Sequence, residues 1–312
     1  MNIMDLLNGP TETQMKNIMA ELGEDEERFE HNLNLLKTWI SYQEHLPKNY
    51  DKKILPVFLR GCKHDLERTK RKIELYYSVR KSVPEIYRNR DPTSLDFIAI
   101  SRLLPFVPLR KLDKHGYRIT IIRLTSPDVG AYNVEQIIRS FVMIGDVRVT
   151  EETPIAGDIF VMDCGNNITA MHVAKLANTL LAKAMAIAHE AYPQRLKRIH
   201  VLNVPEYAEK LLVLFKSFMK EKMRSRFVVH RHSTELMDYI SPEILPKEYG
   251  GQAGEITEMH EKWMKYLSGK KDWFKDQESV VTTGPIPKHL SQSCALDMNN
   301  GIQGSFRKLA ID

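Results

Sequence analysis

Cysteine is scarce: Cys62, Cys164 and Cys294 are the three in 312 residues, far apart and odd in number. They form neither a disulfide framework nor a metal-ligand spacing, so a reducing compartment is expected. Long apolar runs are missing too, none approaching the roughly 18 to 20 residues that cross a bilayer. Residues 1–7 (MNIMDLL) lack the basic start and long apolar core of a secretory leader, and a cytoplasmic location is the expectation. Neither common glycine-rich phosphate loop is present. The net charge is only +5. The cations flank an apolar stretch instead of interleaving with aromatics, which argues against a nucleic-acid binder. There is no internal repeat.

What is there suits a globular chain. Hydrophobic residues make up 43% and charged residues 27%, enough to bury a substantial core. Residues 1–24 show little periodicity and read as an arm. From Asp25, Phe29, Leu33, Leu36, Trp39 and Ile40 recur at helical spacing until Pro47. A short helix is expected over 52–60. A third opens at Asp65, a capping residue, and runs to the breaker Pro84. Residues 25–100 therefore read as a helical module.

The pattern then changes. Residues 117–124 (YRITIIRL), 158–163 (DIFVMD), 197–203 (KRIHVLN) and 227–229 (FVV) read as strands. Between them, residues 134–149 and 169–190 have helical spacing, and Pro205 opens a further helix. Strands alternating with helices imply an α/β fold with a largely parallel or mixed sheet. From about residue 279 the regular pattern is lost, although Phe306, Leu309 and Ile311 would pin the tail.

Four segments carry a family likeness. The run FLRG (58–61), followed by a basic helix ending in Pro84-Glu85, resembles the N-terminal helical module of CRAL-TRIO (Sec14-like) proteins. DIFVMDCG, AYPQRLKRIHVLNVPEY and ILPKEYGG, in that order, resemble the lipid-binding module. The final GSFRKLAID resembles tails of invertebrate members. The resemblance points to the branch containing the tocopherol and retinaldehyde carriers. It implies a helical module over 25–100, a lipid-binding domain over 101–276 and a tail over 277–312. It also implies an apolar cavity closed by a mobile gate helix over residues 206–219.

Cavity and gate residues follow from that resemblance and from apolar spacing. The walls are expected to be Ile137, Ile138, Phe141, Gly145, Phe160, Met162, Met185, Ala188 and Tyr192. Ala184, Ala186 and Ala188 leave space where a filled core would place larger groups. The gate residues are Leu211, Leu214, Phe215, Phe218 and Met219, with Leu212 alongside, an apolar set wider than a surface helix needs. Each wall residue reads equally well as core packing; the set carries the inference. A ligand of about 30 heavy atoms at roughly 0.3 kcal/mol each would bind with about 9 kcal/mol, a sub-micromolar affinity.

Positive charge clusters between Arg195 and Arg231. The resemblance assigns phosphoinositide head groups to Arg195, Lys197, Lys222 and Arg226, with Lys63 adjoining. Each cation near an anionic surface adds on the order of 1 kcal/mol. The family's basic residue in the turn at 62 is replaced by Cys62. Gln194 stands where the phosphatidylinositol-transfer branch favours an acid, so a tocopherol, retinoid, carotenoid or other isoprenoid is the expected cargo. No cofactor is expected beyond this non-covalent lipid, and the chain is read as a non-enzymatic carrier that associates reversibly with membranes. The alternatives are a lipid-sensing scaffold and a phosphatidylinositol-transfer protein.

Enzyme signals are weak. Cys62 and Arg68 have the bare spacing of a cysteine phosphatase, but Asp65 and Glu67 would repel phosphate. Cys164 follows a strand without a nucleophile elbow. His230 and His232 would share one strand face, without a third metal ligand nearby.

Overall fold

Asp25, Asp65, Ser94 and Asn133 each accept a hydrogen bond from the backbone N–H three residues later, which fixes where four helices begin. The computed structural model describes residues 2–176, 178–205 and 221–296. The helical module comprises α1 (Glu12–Leu22), α2 (Glu26–Tyr42), α3 (Ile54–Gly61), α4 (Leu66–Ser82), α5 (Pro84–Tyr87) and α6 (Leu95–Leu103). In α2 the stripe Phe29, Leu33, Leu36 and Ile40 is buried, and it packs with Phe58 and Leu59 of α3 and Ile73, Tyr76 and Tyr77 of α4.

The expected arm contains a helix. Thr11 and Gln14 close a reciprocal capping box at the start of α1, and Gly23 ends it in the left-handed region. The stretch is too polar to show a clear stripe, since only Ile18 and Leu22 are buried.

Five strands follow in chain order: β1 (Phe106–Leu112), β2 (Tyr117–Arg123), β3 (Gly157–Asp163), β4 (Leu196–Leu202) and β5 (Phe227–Val229). β1 pairs antiparallel with β2, and the other three pairings are parallel. Among the described residues, α7 (Val134–Glu151) connects β2 to β3, α8 (Ala170–Leu176) and α9 (Thr179–Glu190) connect β3 to β4, and the short helix Glu221–Arg224 precedes β5. The single long helix expected over 169–190 is thus two, with Asn178 capping the second through a 2.7 Å bond from the Leu180 N–H.

The register sorts side chains into cross-sheet rows. Phe106, Ile122, Met162, Val201 and Val229 form one row, and Pro108, Thr120, Phe160, Ile199 and Phe227 the next; both lie on one face. Val107, Ile121, Val161 and His200 form a row on the reverse face, and all four are fully buried. Residues after β5 meet that reverse face. Tyr249 donates its hydroxyl to Asp163 (2.8 Å), and Tyr239 meets His200 edge-on at 5.0 Å. Trp263 donates to the Pro108 carbonyl (3.1 Å).

α7 joins the module to the sheet. Its Phe141 ring lies 4.6 Å from Phe106 on the front face, while its Asp146 reaches back to α4. Asp146 is fully buried between Arg80 (2.6 Å) and Arg90 (2.5 Å) and accepts from the hydroxyls of Tyr76 and Tyr192. Burial alone would raise its pKa; the two guanidiniums outweigh that and hold the carboxyl below its ordinary value. A second buried chain of charge, Arg118–Glu152–Arg148–Asp158, ties β2 and β3 to the end of α7.

Candidate functional site

The two faces of the sheet differ in how completely they are covered. On the front, Ile122, Phe160, Ile199, Phe227 and Val229 are only half-buried, and Met162 is 41% exposed. α7 and α9 add half-buried Phe141, Leu181, Ala184 and Met185. Ile122 and Phe141 touch both large cores without belonging fully to either. Incompletely covered apolar side chains along a seam between two close-packed cores mark a place where further apolar matter would gain contact.

The expected wall residues divide into two groups. Phe141, Phe160 and Met162 lie on or beside this seam, and Met185 is half-buried on α9. Ile137, Ile138 and Tyr192 are buried in the core shared with the helical module, and Gly145 faces the Tyr192 ring. Nearly every side of α7 is buried, so its apolar residues cannot all face one ligand. Tyr192 reaches the Asp146 carboxylate at 2.7 Å, which gives its hydroxyl a structural partner. Ala188 is exposed, whereas Ala186 is buried. The gate residues Leu211, Leu214, Phe215, Phe218 and Met219 lie outside the described residues. Ile122 and Ile199 were missed by sequence reasoning. Their place beside Phe160 and Met162 follows from strand register, which no local pattern specifies.

The cations assemble at the other end of the parallel strands. α3 approaches the loop before β4 so closely that a Cβ on Gly61 would stand 2.1 Å from the Pro193 carbonyl oxygen. That contact brings the start of β4, with Arg195 and Lys197, beside the α3 turn. Arg226, just before β5, lies beside β4 with its carbonyl accepting from the Ile199 N–H (2.8 Å), and burial and then the like charge of Arg195 lower its pKa. Burial, Arg195 and Lys63 act downward on Lys197, and their sum exceeds the lift from Glu21. Arg195, Lys197 and Arg226 are half-buried, while Lys222 is exposed on the short helix Glu221–Arg224. Arg195 and Lys197 share one partner, Glu21 of α1: Arg195 at 3.0 Å and Lys197 in direct contact. A cleft of about 900 Å³ opens beside them, lined by Lys53, Arg60, Arg148, Asp158, Gln194 and Arg195, among others.

The weighed nucleophiles sit in unsuitable surroundings. Burial raises the Cys62 thiol, and the residue ends α3 instead of entering a phosphate-binding loop. Burial pushes Cys164 up to about 12. β5 stops at Val229, so His230 and His232 do not share a strand face. His230 is buried against His200, their nearest ring nitrogens 2.7 Å apart, with Glu235 at 3.4 Å. Among the described residues no group of three or more His, Cys, Asp or Glu is arranged to hold a metal ion, and no helix is long and apolar enough to cross a membrane.

Comparison with known proteins gives consistent results. Residues 105–251 match the CRAL/TRIO domain, and residues 25–97 match the Pinta-like, UBA domain. A human protein named alpha-tocopherol transfer protein-like is 27% identical over 262 residues, covering 81% of this chain and 75% of the relative. Human clavesin-2 is 30% identical over 145 residues, 46% of this chain and 44% of the relative. The crystal structure of Sfh5 superposes with a TM-score of 0.50 at 15% identity, covering 80% of this chain and 99% of that one, a likeness of fold.

Proposed function

We propose that this chain, whose residues 105–251 match the CRAL/TRIO domain, is a non-enzymatic carrier of one hydrophobic lipid, exchanged at anionic membrane surfaces. The unequal covering of the sheet carries this reading. The reverse face is buried across β1, β2 and β3, whereas the front seam around Ile122, Phe160 and Met162 keeps apolar surface available. Covering it with ligand releases roughly 25 cal/mol for each Å² of apolar surface withdrawn from water. The alpha-tocopherol transfer protein-like relative supports a small isoprenoid-type cargo, and Gln194 argues against phosphatidylinositol.

Docking is the work of Arg195, Lys197, Lys222 and Arg226. Three of them, Arg195, Lys197 and Arg226, stand at the starts of β4 and β5, and the like charge of Arg195 acts downward on the pKa of both Lys197 and Arg226, which supports a site for phosphate-bearing head groups. The decisive experiment is mass spectrometry of small molecules extracted from protein purified from its native source, paired with a vesicle-to-vesicle transfer assay. One stoichiometric isoprenoid and accelerated transfer are expected. Binding without acceleration would make the protein a sensor, and a folded protein that takes up no lipid would end the carrier reading.

A further inference from the structure

α1 sits apart from the two main cores. It lies on the β1–β2 hairpin through a small cluster in which Ile18 and Leu22 meet Leu112 and Ala156. Gly116, at φ +79°, turns the hairpin, and a Cβ there would stand 2.4 Å from Ile18 Cγ1. Three side-chain hydrogen bonds add to the attachment: Gln14 donates to the carbonyls of Leu112 (3.1 Å) and Asp113 (2.8 Å), and Asn17 to that of Lys114 (2.9 Å). The apolar part of this mooring is small, two side chains of α1.

The end of α1 carries two carboxylates into basic surroundings. Glu21 accepts from Arg195 and Lys197 with one oxygen, and from the Tyr117 hydroxyl with the other at 2.6 Å. Glu24, just past the helix, takes the Arg60 guanidinium in a two-pronged contact (2.8 and 2.9 Å) and lies 3.3 Å from His64. Glu21 stands in the last turn of α1, where the helix dipole disfavours negative charge, and that turn holds no basic residue. The helix gains nothing from a glutamate there; Arg195 and Lys197, at the start of β4, do.

We infer that α1 is an intramolecular lid, its Glu21 carboxylate occupying the place that a phosphate of an anionic membrane lipid takes on Arg195 and Lys197 when the protein docks. This rests on the docking half of the function proposed above. Free in solution, the lid neutralises a cluster of like charges that would otherwise repel. At a phosphate-rich surface the many lipid anions outcompete the Glu21 carboxylate on Arg195 and Lys197, and the helix, held otherwise by Glu24, a few hydrogen bonds and its small apolar cluster, gives way. Membrane affinity is thereby reduced wherever anionic lipid is sparse, and the response to anionic lipid density becomes steeper.

The test uses full-length protein and phosphatidylcholine vesicles doped with a phosphatidylinositol bisphosphate. Glu21→Gln removes the competing charge, and Ile18→Ala loosens the mooring without changing any charge. Glu12→Gln makes the same charge change at the exposed far end of α1. The expected result is ~5-fold tighter vesicle binding for Glu21→Gln and Ile18→Ala, with Glu12→Gln matching the wild type. Equal or weaker binding by Glu21→Gln, with wild-type binding intact, would overturn the lid and leave the docking site standing. Failure of every form to bind would overturn both.

Discussion

Tyr192 and Asp146, one just before β4 and the other in the middle of α7, meet through a 2.7 Å hydrogen bond at the buried junction of the helical module and the sheet. Arg80 and Arg90 neutralise the same carboxylate, and Arg80 also lies over the Tyr76 ring at 4.1 Å. Two cations against one anion in a sealed interior make this carboxylate the hinge of the local electrostatics.

Asp146→Asn leaves both guanidiniums without a counter-charge. It is expected to lower stability by ~3 to 5 kcal/mol, against ~1 to 3 kcal/mol for Tyr192→Phe. Urea unfolding monitored by circular dichroism ranks the two; a larger loss for Tyr192→Phe would place the weight on the hydrogen bond instead of the ion pairs.

His200 links stability to pH. Burial, with His230 and Arg198 adding to it, lowers its pKa to about 3. A histidine held neutral in the folded state contributes stability that is complete above its unfolded value near 6.5 and drains away as pH falls toward 3. Around this ring stand His230, Arg198 and Tyr239, with Glu235 beyond His230. The loss attributable to His200 is of order 2 kcal/mol by pH 5. His200→Gln is expected to flatten the stability profile between pH 6.5 and 5, and an unchanged slope would assign it to other groups such as His260, which burial lowers to about 4.

On the seam, Met162→Asp places a charge where the ligand is expected to lie, on a side chain already 41% exposed. Bound lipid should fall at least ~10-fold while the melting temperature barely moves. Val161→Ala, one residue along and fully buried on the reverse face, should show the opposite pattern: retained lipid and a stability loss of ~1 to 3 kcal/mol.

Docking is expected to fail separately from loading. Lys222→Glu with Arg226→Glu should weaken binding to phosphoinositide vesicles and reduce its salt dependence, while lipid uptake in solution stays at the wild-type level. Vesicle co-sedimentation beside a ligand-binding titration reads both properties, and equal sedimentation of the double variant would remove these two residues from the site.

Much of this architecture was legible in the order of residues. The β-branched runs gave β2, β3, β4 and β5, and Asp25 and Asp65 announced their helices. β1 was not legible, because Pro108 and the adjacent Arg110-Lys111 mask its alternation. The helix Ile256–Ser268, which buries Trp263, was not singled out either. Apolarity drew Tyr192 into the expected cavity, yet its partner Asp146 is 46 residues away and no spacing rule connects them. The basic residues were conspicuous, but Glu21 lay in a stretch read as an arm, 174 residues before Arg195. Patterns with short periods survive in a sequence; pairings made by the closing of the fold do not.

The sheet runs β1-β2-β3-β4-β5, so spatial order repeats chain order. As the polypeptide leaves the ribosome, each strand after the first finds its neighbour already made, and no strand waits for a later one to be slotted between. Loop closures stay local, and the growing edge open to mispairing is always the newest strand. During synthesis the unfinished sheet thereby offers one unpaired strand edge at a time on its growing side, which limits the surface open to aggregation.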